Sequence, residues 1–96
     1  MRRVYYSDVS GAARVLLKVP RESRSALCAQ MFAEAETADR FLRKLGKLHP
    51  VYGNGTLRGA AFRHVPEPEP SFDNPDYRAC FMEVLQRLEQ KACEVV

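Results

Sequence analysis

From Arg21 to Leu45 the chain reads RESRSALCAQMFAEAETADRFLRKL, with neither glycine nor proline inside it, Pro20 before it and Gly46 after it. No other feature constrains the fold as much. Ala, Leu, Glu, Arg and Met are good helix formers. Pro20 lacks only an N–H that a first helical turn leaves unpaired, and Gly46 can take the left-handed conformation that ends a helix. The spacing therefore predicts one helix of roughly 25 residues, ~37 Å long at 1.5 Å per residue. Leu27, Met31, Ala35, Ala38, Leu42 and Leu45 make one apolar stripe along it, and Cys28, Phe32 and Phe41 a flanking one. Alanines at 33, 35 and 38 permit close approach of another helix. One stripe is expected to pack within the protomer and the other to meet a second copy, with Leu27, Met31, Ala35, Ala38, Leu42 and Leu45 as the candidate subunit interface. The alternative is a monomer whose last helix covers both stripes.

The other segments are shorter. A first helix is expected to start in YSDVSG, with Ser7 or Asp8 accepting from a free N–H of its first turn. Val9, Ala12, Ala13 and Leu16 follow at the spacing of one helix face, Gly11 weakens the helix slightly, and Pro20 stops it. KLHPVYGNGT, residues 47–56, is expected to reverse the chain: Gly53 and Gly55 allow the turn and Tyr52 packs back as a plug. TLRGAAFRHV is at most a short helix, capped by Asn54 or Thr56, with Leu57, Ala60 and Ala61 inward. In VPEPEPSFDNP alternating prolines lock φ and remove donors, which favours an extended connector. Asp73 or Asn74 then caps a last helix, Pro75 fits its first turn and Asp76 suits its dipole. Tyr77, Phe81, Val84, Leu85, Leu88 and Ala92 form its apolar face, and it should fray before CEVV. The expected fold class is all-α: one domain with a long central helix, two or three shorter helices, a basic part (1–65), a Pro-rich connector (66–74) and an acidic last helix (75–96).

Charge is divided unevenly between those parts. Residues 1–65 hold 12 Lys/Arg against 5 Asp/Glu, whereas residues 66–96 hold 3 against 7. The composition shift coincides with the connector, read here as a hinge. A chain basic at one end and acidic at the other suits a polyanion on one side and a different partner on the other. Three cysteines without close spacing give no disulfide framework and suit a reducing compartment. No apolar run approaches a membrane span, and the apolar stretch of a secretory leader is missing after the first basic residues. The expectation is a cytoplasmic protein.

Chemistry-bearing motifs are sparse. His49 and His64 are the only histidines. Neither H-E-x-x-H nor C-x-x-C spacing occurs, and the serines sit where helix caps are needed. Glu34, Glu36 and Asp39 bunch together, but Glu36 precedes Arg40 and Asp39 precedes Arg43 by four residues, the favourable order for surface ion pairs. GNG lacks the Lys-Ser/Thr of a phosphate loop. No catalytic residue, metal or cofactor is expected, and the chain is read as a non-enzyme. Arg40, Arg43, Lys44 and Lys47 form a basic edge at the end of the long helix, Arg14, Lys18 and Arg21 form a second cluster, and Arg2 and Arg3 could form an arm. Such groups can touch phosphates without reading sequence, so the expectation is weak, salt-sensitive contact with double-stranded DNA.

Three stretches, YSDVSGAARVLL, EAETADRFLRKLGKLHPVYGNGTL and DYRACFMEVLQRLE, together resemble the small terminase-like proteins of bacterial gene transfer agents, phage-like particles that package DNA. The resemblance covers nearly the whole chain and rests on no catalytic signature. It implies a packaging adaptor that self-associates into a ring, touches DNA and recruits the large terminase, which carries the ATPase and nuclease. The long helix would build the oligomer, and the acidic last helix, through Tyr77, Phe81, Val84 and Leu88, would meet the large subunit. The short first helix departs from the N-terminal helix-turn-helix of phage members and puts specific DNA recognition in doubt. The competing reading is a helical interaction or regulatory protein without a nucleic-acid role.

Overall fold

The computed structural model describes residues 1–94, with side chains to Lys91. Four helices follow in order: α1 (Tyr6–Leu16), α2 (Arg21–Leu45), α3 (Leu57–Phe62) and α4 (Pro75–Glu94). No strand forms among the described residues; a lone bridge joins His49 to Gly53. The fold is all-α, and α2 has the limits its flanking residues dictate, ending at Gly46 with φ of 67°. At ~37 Å it is nearly as long as the largest dimension of the molecule, 42 Å.

The centre of the fold is nevertheless α1. It packs against each of the other three helices, whereas α3 and α4 do not meet. Eight of its 11 residues are buried, including Ser10 and Gly11 as well as the expected Val9, Ala12, Ala13 and Leu16. A helix of small residues can be surrounded closely on several sides. Gly11 is thus no simple weak point, since a Cβ there would lie 2.8 Å from the Phe62 ring. Asp8 is not the first cap of α1 but the clamp between two helix starts. Its Oδ2 accepts from Tyr5 N at 2.9 Å and its Oδ1 from Arg58 N, in the first turn of α3, at 2.9 Å. Both donors are otherwise unpaired in a helix start.

Phe32, Cys28 and Met31 of α2 meet α1, α3 and α4 in one core with Leu57, Ala61, Tyr77, Cys80 and Val84. Three members of the candidate subunit interface are therefore corrected: Met31, Ala35 and Ala38 are fully buried within a single chain. Leu27 and Leu42 are half-buried, and only Leu45 is broadly exposed. The reason is geometric. Arg24, Cys28, Met31, Ala35 and Ala38 lie on one face, and α1 with its neighbours covers that face. The candidate partner surface on α4 needs the same correction. Tyr77 and Val84 are fully buried, and Phe81 and Leu88 pack against the core. The face of α4 that reaches solvent carries Met82 and Leu85. The helix continues through Cys93 and Glu94, past the expected fraying point. Residues 95–96 and the Ala92 side chain lie outside the described residues.

The connector is extended, as its prolines require, but it is pinned and not a hinge. Arg14 Nε donates to Glu67 O at 2.7 Å, and Lys18 Nζ to His64 O and Val65 O at 3.1 and 2.7 Å. Glu69 Oε1 accepts from Tyr6 Oη at 2.5 Å and Ser10 Oγ at 3.0 Å, with Tyr77 Oη at 3.3 Å. These hydroxyl donors, Tyr6 first, hold the Glu69 carboxyl below its ordinary range, and the same contact pushes Tyr6 up to about 12. Lys18 also holds a strained residue in place: Val65 has φ of 55°, a region costly for a β-branched side chain by about 1–2 kcal/mol. Val65 is exposed, so Val65→Asn keeps the turn and removes most of the strain. Thermal unfolding should register a gain of about 1 kcal/mol, or ~4–8 °C. A lower melting temperature would show that the Val65 side chain stabilises the turn.

Candidate functional site

The residues singled out as phosphate contacts separate into two groups. Arg14 and Lys18 are engaged structurally: Arg14 binds the Glu67 carbonyl of the connector, and Lys18 the His64 and Val65 carbonyls just before it. Arg21 Nη2 lies 3.5 Å from Asp76 Oδ1, and most of its side chain stays in solvent. Arg40, Lys44 and Lys47 behave differently. Arg40 is exposed and among the described residues reaches only Thr37 Oγ1, at 3.5 Å, so the expected pair with Glu36 does not form. Lys44 and Lys47 are exposed without a carboxylate partner among the described residues. Arg43 does pair with Asp39, at 2.7 Å, yet its side chain stays largely in solvent.

The first residues of the chain are held against this end of α2. Met1 N lies 2.8 Å from Glu36 Oε2 and 3.1 Å from Asp39 Oδ2, and Arg2 N donates to Gly55 O at 2.9 Å. Arg2 and Arg3 therefore form an anchored segment whose side chains are exposed. A cleft of about 680 Å³ lies between the segment and the helix, lined by Met1, Arg2, Arg3, Tyr5, Leu42, Arg43 and Thr56 together with the carboxylates of Asp8 and Asp39. A second cleft of about 420 Å³, with a mostly apolar floor of Phe41 and Leu45, is walled by Arg40, Arg43 and Lys44. Arg43 lines both clefts. The two expected groups, arm and helix edge, thus merge into one cationic end.

The turn beside this end is organised by His49. Its Nδ1 accepts from Val51 N at 3.1 Å and Tyr52 N at 3.0 Å. The ring stacks on Tyr52 at 4.6 Å and meets the Phe41 edge at 4.9 Å. With Nδ1 accepting, the hydrogen-bond pattern assigns the ring proton to Nε2. Tyr52 does pack back, half-buried beneath the Arg63 guanidinium.

Glu34, Glu36 and Asp39 are not a row of surface pairs. Glu34 and Asp39 are buried. Glu34 binds Arg63 and Gln30 and lies 3.4 Å from His64 Nε2, while Glu36 binds Lys91 and Met1 N. They join α2 to α3, α4 and the first residues. Burial alone would push the Glu34 carboxyl up. Hydrogen bonds from Gln30 and His64 and the charge of Arg63 outweigh it, so the group sits below the ordinary carboxylate range. A depressed carboxyl contributes stability above its unfolded value of about 4.3 and loses it as pH falls through the folded value. Melting temperature should accordingly drop between about pH 5 and pH 3, and Glu34→Gln should flatten that drop. An unchanged pH profile in the variant would show that Glu34 contributes nothing to acid sensitivity.

The two described cysteine thiols, Cys28 and Cys80, offer little nucleophilic chemistry. Burial pushes Cys28 up to about 11 and Cys80 upward as well, so neither is a thiolate at neutral pH. No cluster of His, Cys, Asp and Glu suited to a metal ion occurs among the described residues, and no described helix is long and apolar enough to cross a membrane.

Missing from the sequence reading was Arg24, buried on α2. Its Nη1 and Nη2 reach the two Asp76 oxygens at 2.9 Å each, and its Nε donates to Leu16 O at 3.1 Å. The available signal was a charge in register with Cys28, Met31 and Ala35, on the face that became the core.

Residues 2–88 match a family described as a domain of unknown function (DUF7742). Neither a curated protein nor a solved structure matches the chain.

Proposed function

We propose that this chain, which belongs to the DUF7742 family, is a non-enzymatic, self-associating adaptor of phage-like DNA packaging, of the small-terminase type. In this reading it works in the cytoplasm, touches double-stranded DNA weakly and without regard to sequence, and recruits a large terminase. The resemblance of three stretches to small terminase-like proteins of gene transfer agents motivates it. The observation that carries its DNA part is the cationic end: Arg2, Arg3, Arg40, Arg43 and Lys44 lining two clefts that share Arg43. Guanidinium and ammonium groups placed this way can neutralise phosphates of a backbone. The hydrogen bonds of Arg14 and Lys18 to backbone carbonyls argue against that role for these two.

Fluorescence anisotropy of a labelled duplex across a salt series tests this. Log affinity should fall linearly with log salt, by about 0.9 for each phosphate neutralised. Arg2→Ala and Arg3→Ala should each lower that slope by about 1 and weaken unrelated sequences alike. Arg14→Ala should leave the slope unchanged. Binding that is absent at low salt, or indifferent to salt, would remove DNA from the reading.

One observation favours the second reading, a helical interaction protein without a nucleic-acid role. The cleft over Phe41 and Leu45 is mainly apolar, and phosphates do not need an apolar floor. A protein surface does.

A further inference from the structure

Two exposed apolar patches of opposite charge lie on one chain. The first is the end of α2, where Phe41 and Leu45 floor a cleft walled by Arg40, Arg43 and Lys44. Leu48 and Val51, also exposed, follow directly in the turn. The second runs along the outer face of α4. Met82, Leu85 and Glu89 share that face at helical spacing; Met82 and Leu85 are exposed, and the half-buried Phe81 borders it. Phe72 extends the patch from the connector, its ring 5.2 Å from Phe81, and Tyr6 from α1 lies 6.0 Å from Phe81 on centroids. The exposed charges beside it are Glu69, Asp73 and Glu89, with Arg78 as the opposing cation, its Nη1 donating to Phe72 O at 2.7 Å.

Each patch has what the other lacks. The α2 end offers a concave apolar floor with a cationic wall, and the α4 face offers a convex apolar ridge with a mainly acidic border. Burying apolar surface supplies affinity, and opposite charges at the border orient the encounter and disfavour like-to-like pairing. The patches belong to different elements, so they are complementary between copies, and neither is complementary to itself. We infer that the occupant of the α2 cleft is the α4 face of a second copy, in a head-to-tail contact between identical chains. This rests on the self-association in the proposed function and names the surfaces that make it. A heterologous contact leaves one free patch of each kind at the two ends of any assembly, so it continues until it closes on itself. Formation of a closed assembly would cover the cleft floor and leave Arg2 and Arg3 outside the contact.

The test uses two variants at exposed positions and sedimentation velocity of the full chain. Leu45→Glu spoils the α2 cleft and keeps the α4 face; Leu85→Lys does the reverse. The wild type should sediment as a species several times 10.9 kDa, and each variant alone as a monomer. An equimolar mixture should form a one-to-one pair of twice the monomer mass and stop there, because the intact cleft of one variant receives the intact face of the other. Circular dichroism equal to the wild type confirms that both variants fold; if Leu45→Glu does not, Lys44→Glu takes its place. If either variant keeps the wild-type assembly, the contact lies elsewhere and this inference falls while self-association stands. A mixture that stays monomeric also overturns it. A wild type that is monomeric at high concentration overturns both the inference and the self-association it rests on.

Discussion

Replacing Arg24 by Met lowers the melting temperature of the whole domain by roughly 10–20 °C, corresponding to about 2–3 kcal/mol. The guanidinium joins three helix ends. Its Nε donates to Leu16 O at the end of α1, and its fork holds both oxygens of Asp76 in the first turn of α4 at 2.9 Å. Leu16 O belongs to the carbonyls that a helix end leaves without an internal partner. Arg24 itself stands on α2, so one side chain fixes how α1, α2 and α4 meet. Bidentate pairing demands that geometry, and a flexible ammonium does not reproduce it; Arg24→Lys should recover less than half of the loss.

The two partners are not equivalent. Arg24 is buried, whereas Asp76 keeps two-fifths of its surface. Solvent can take up the carboxylate when the arginine is removed, which is why the cost stays below that of stranding a fully buried charge. Asp76→Ala leaves the guanidinium inside with one carbonyl as partner and should cost at least as much as Arg24→Met. The double variant Arg24→Met/Asp76→Ala should be less damaging than the two losses added together, by at least ~1 kcal/mol. Additive losses in chemical denaturation would mean that the pair contributes no coupling, and a shift under 3 °C for Arg24→Met would reduce it to a surface contact.

What the sequence disclosed and what it hid follow one physical division. Local rules place the helix ends well. Gly46 closes α2, Thr56 Oγ1 accepts from Gly59 N at 3.0 Å at the start of α3, and Asn74 Oδ1 accepts from Asp76 N and Tyr77 N at 2.9 and 3.1 Å at the start of α4. Spacing also finds the inward residues of α3 and the first face of α1, although burial of Ser10, Gly11 and Val15 extends around α1 beyond that face. On α2 both stripes are apolar, and the choice is made by where α1 and α4 lie. That is how Met31, Ala35 and Ala38 pass for an interface while serving the core. The cations are ambiguous for the same reason. Lys18 and Lys44 are alike in sequence, but one meets the carbonyls of a returning connector and the other meets water. Burial of Glu34 and Asp39 is equally invisible, since it depends on Arg63, His64 and the first residues arriving from far along the chain. The anchored Arg2 and Arg3 depend on Gly55, legible as a turn glycine but not as the acceptor of Arg2 N.

Gly55→Ala is the substitution expected to cost most, about 3–4 kcal/mol, a combination of overpacking and backbone strain. A Cβ at this position would lie 2.9 Å from Asp39 Cα and Cβ and 3.2 Å from Asp39 N. Those are mainly backbone atoms in the middle of the last turns of α2, and they cannot rotate away as the tip of a side chain can. The residue also has φ of 89°, where an L side chain is disfavoured. Gly46 separates the two contributions. It too has positive φ, 67°, but no atom lies within 4 Å of its would-be Cβ, so Gly46→Ala should cost only about 1 kcal/mol. The difference between the two variants measures the collision with α2. The consequence extends to the cationic end, because Gly55 O receives Arg2 N and Asp39 holds Arg43. Pushing the turn away from α2 releases Arg2 and Arg3 from the cleft they share with Arg43. A Gly55→Ala protein kept folded at low temperature should therefore bind duplex DNA with a smaller salt slope than wild type, whereas Gly46→Ala should keep the full slope. Equal stability of the two variants would show that α2 yields to the added methyl. A full salt slope in a destabilised Gly55→Ala protein would show that the arginines need no anchor at Gly55.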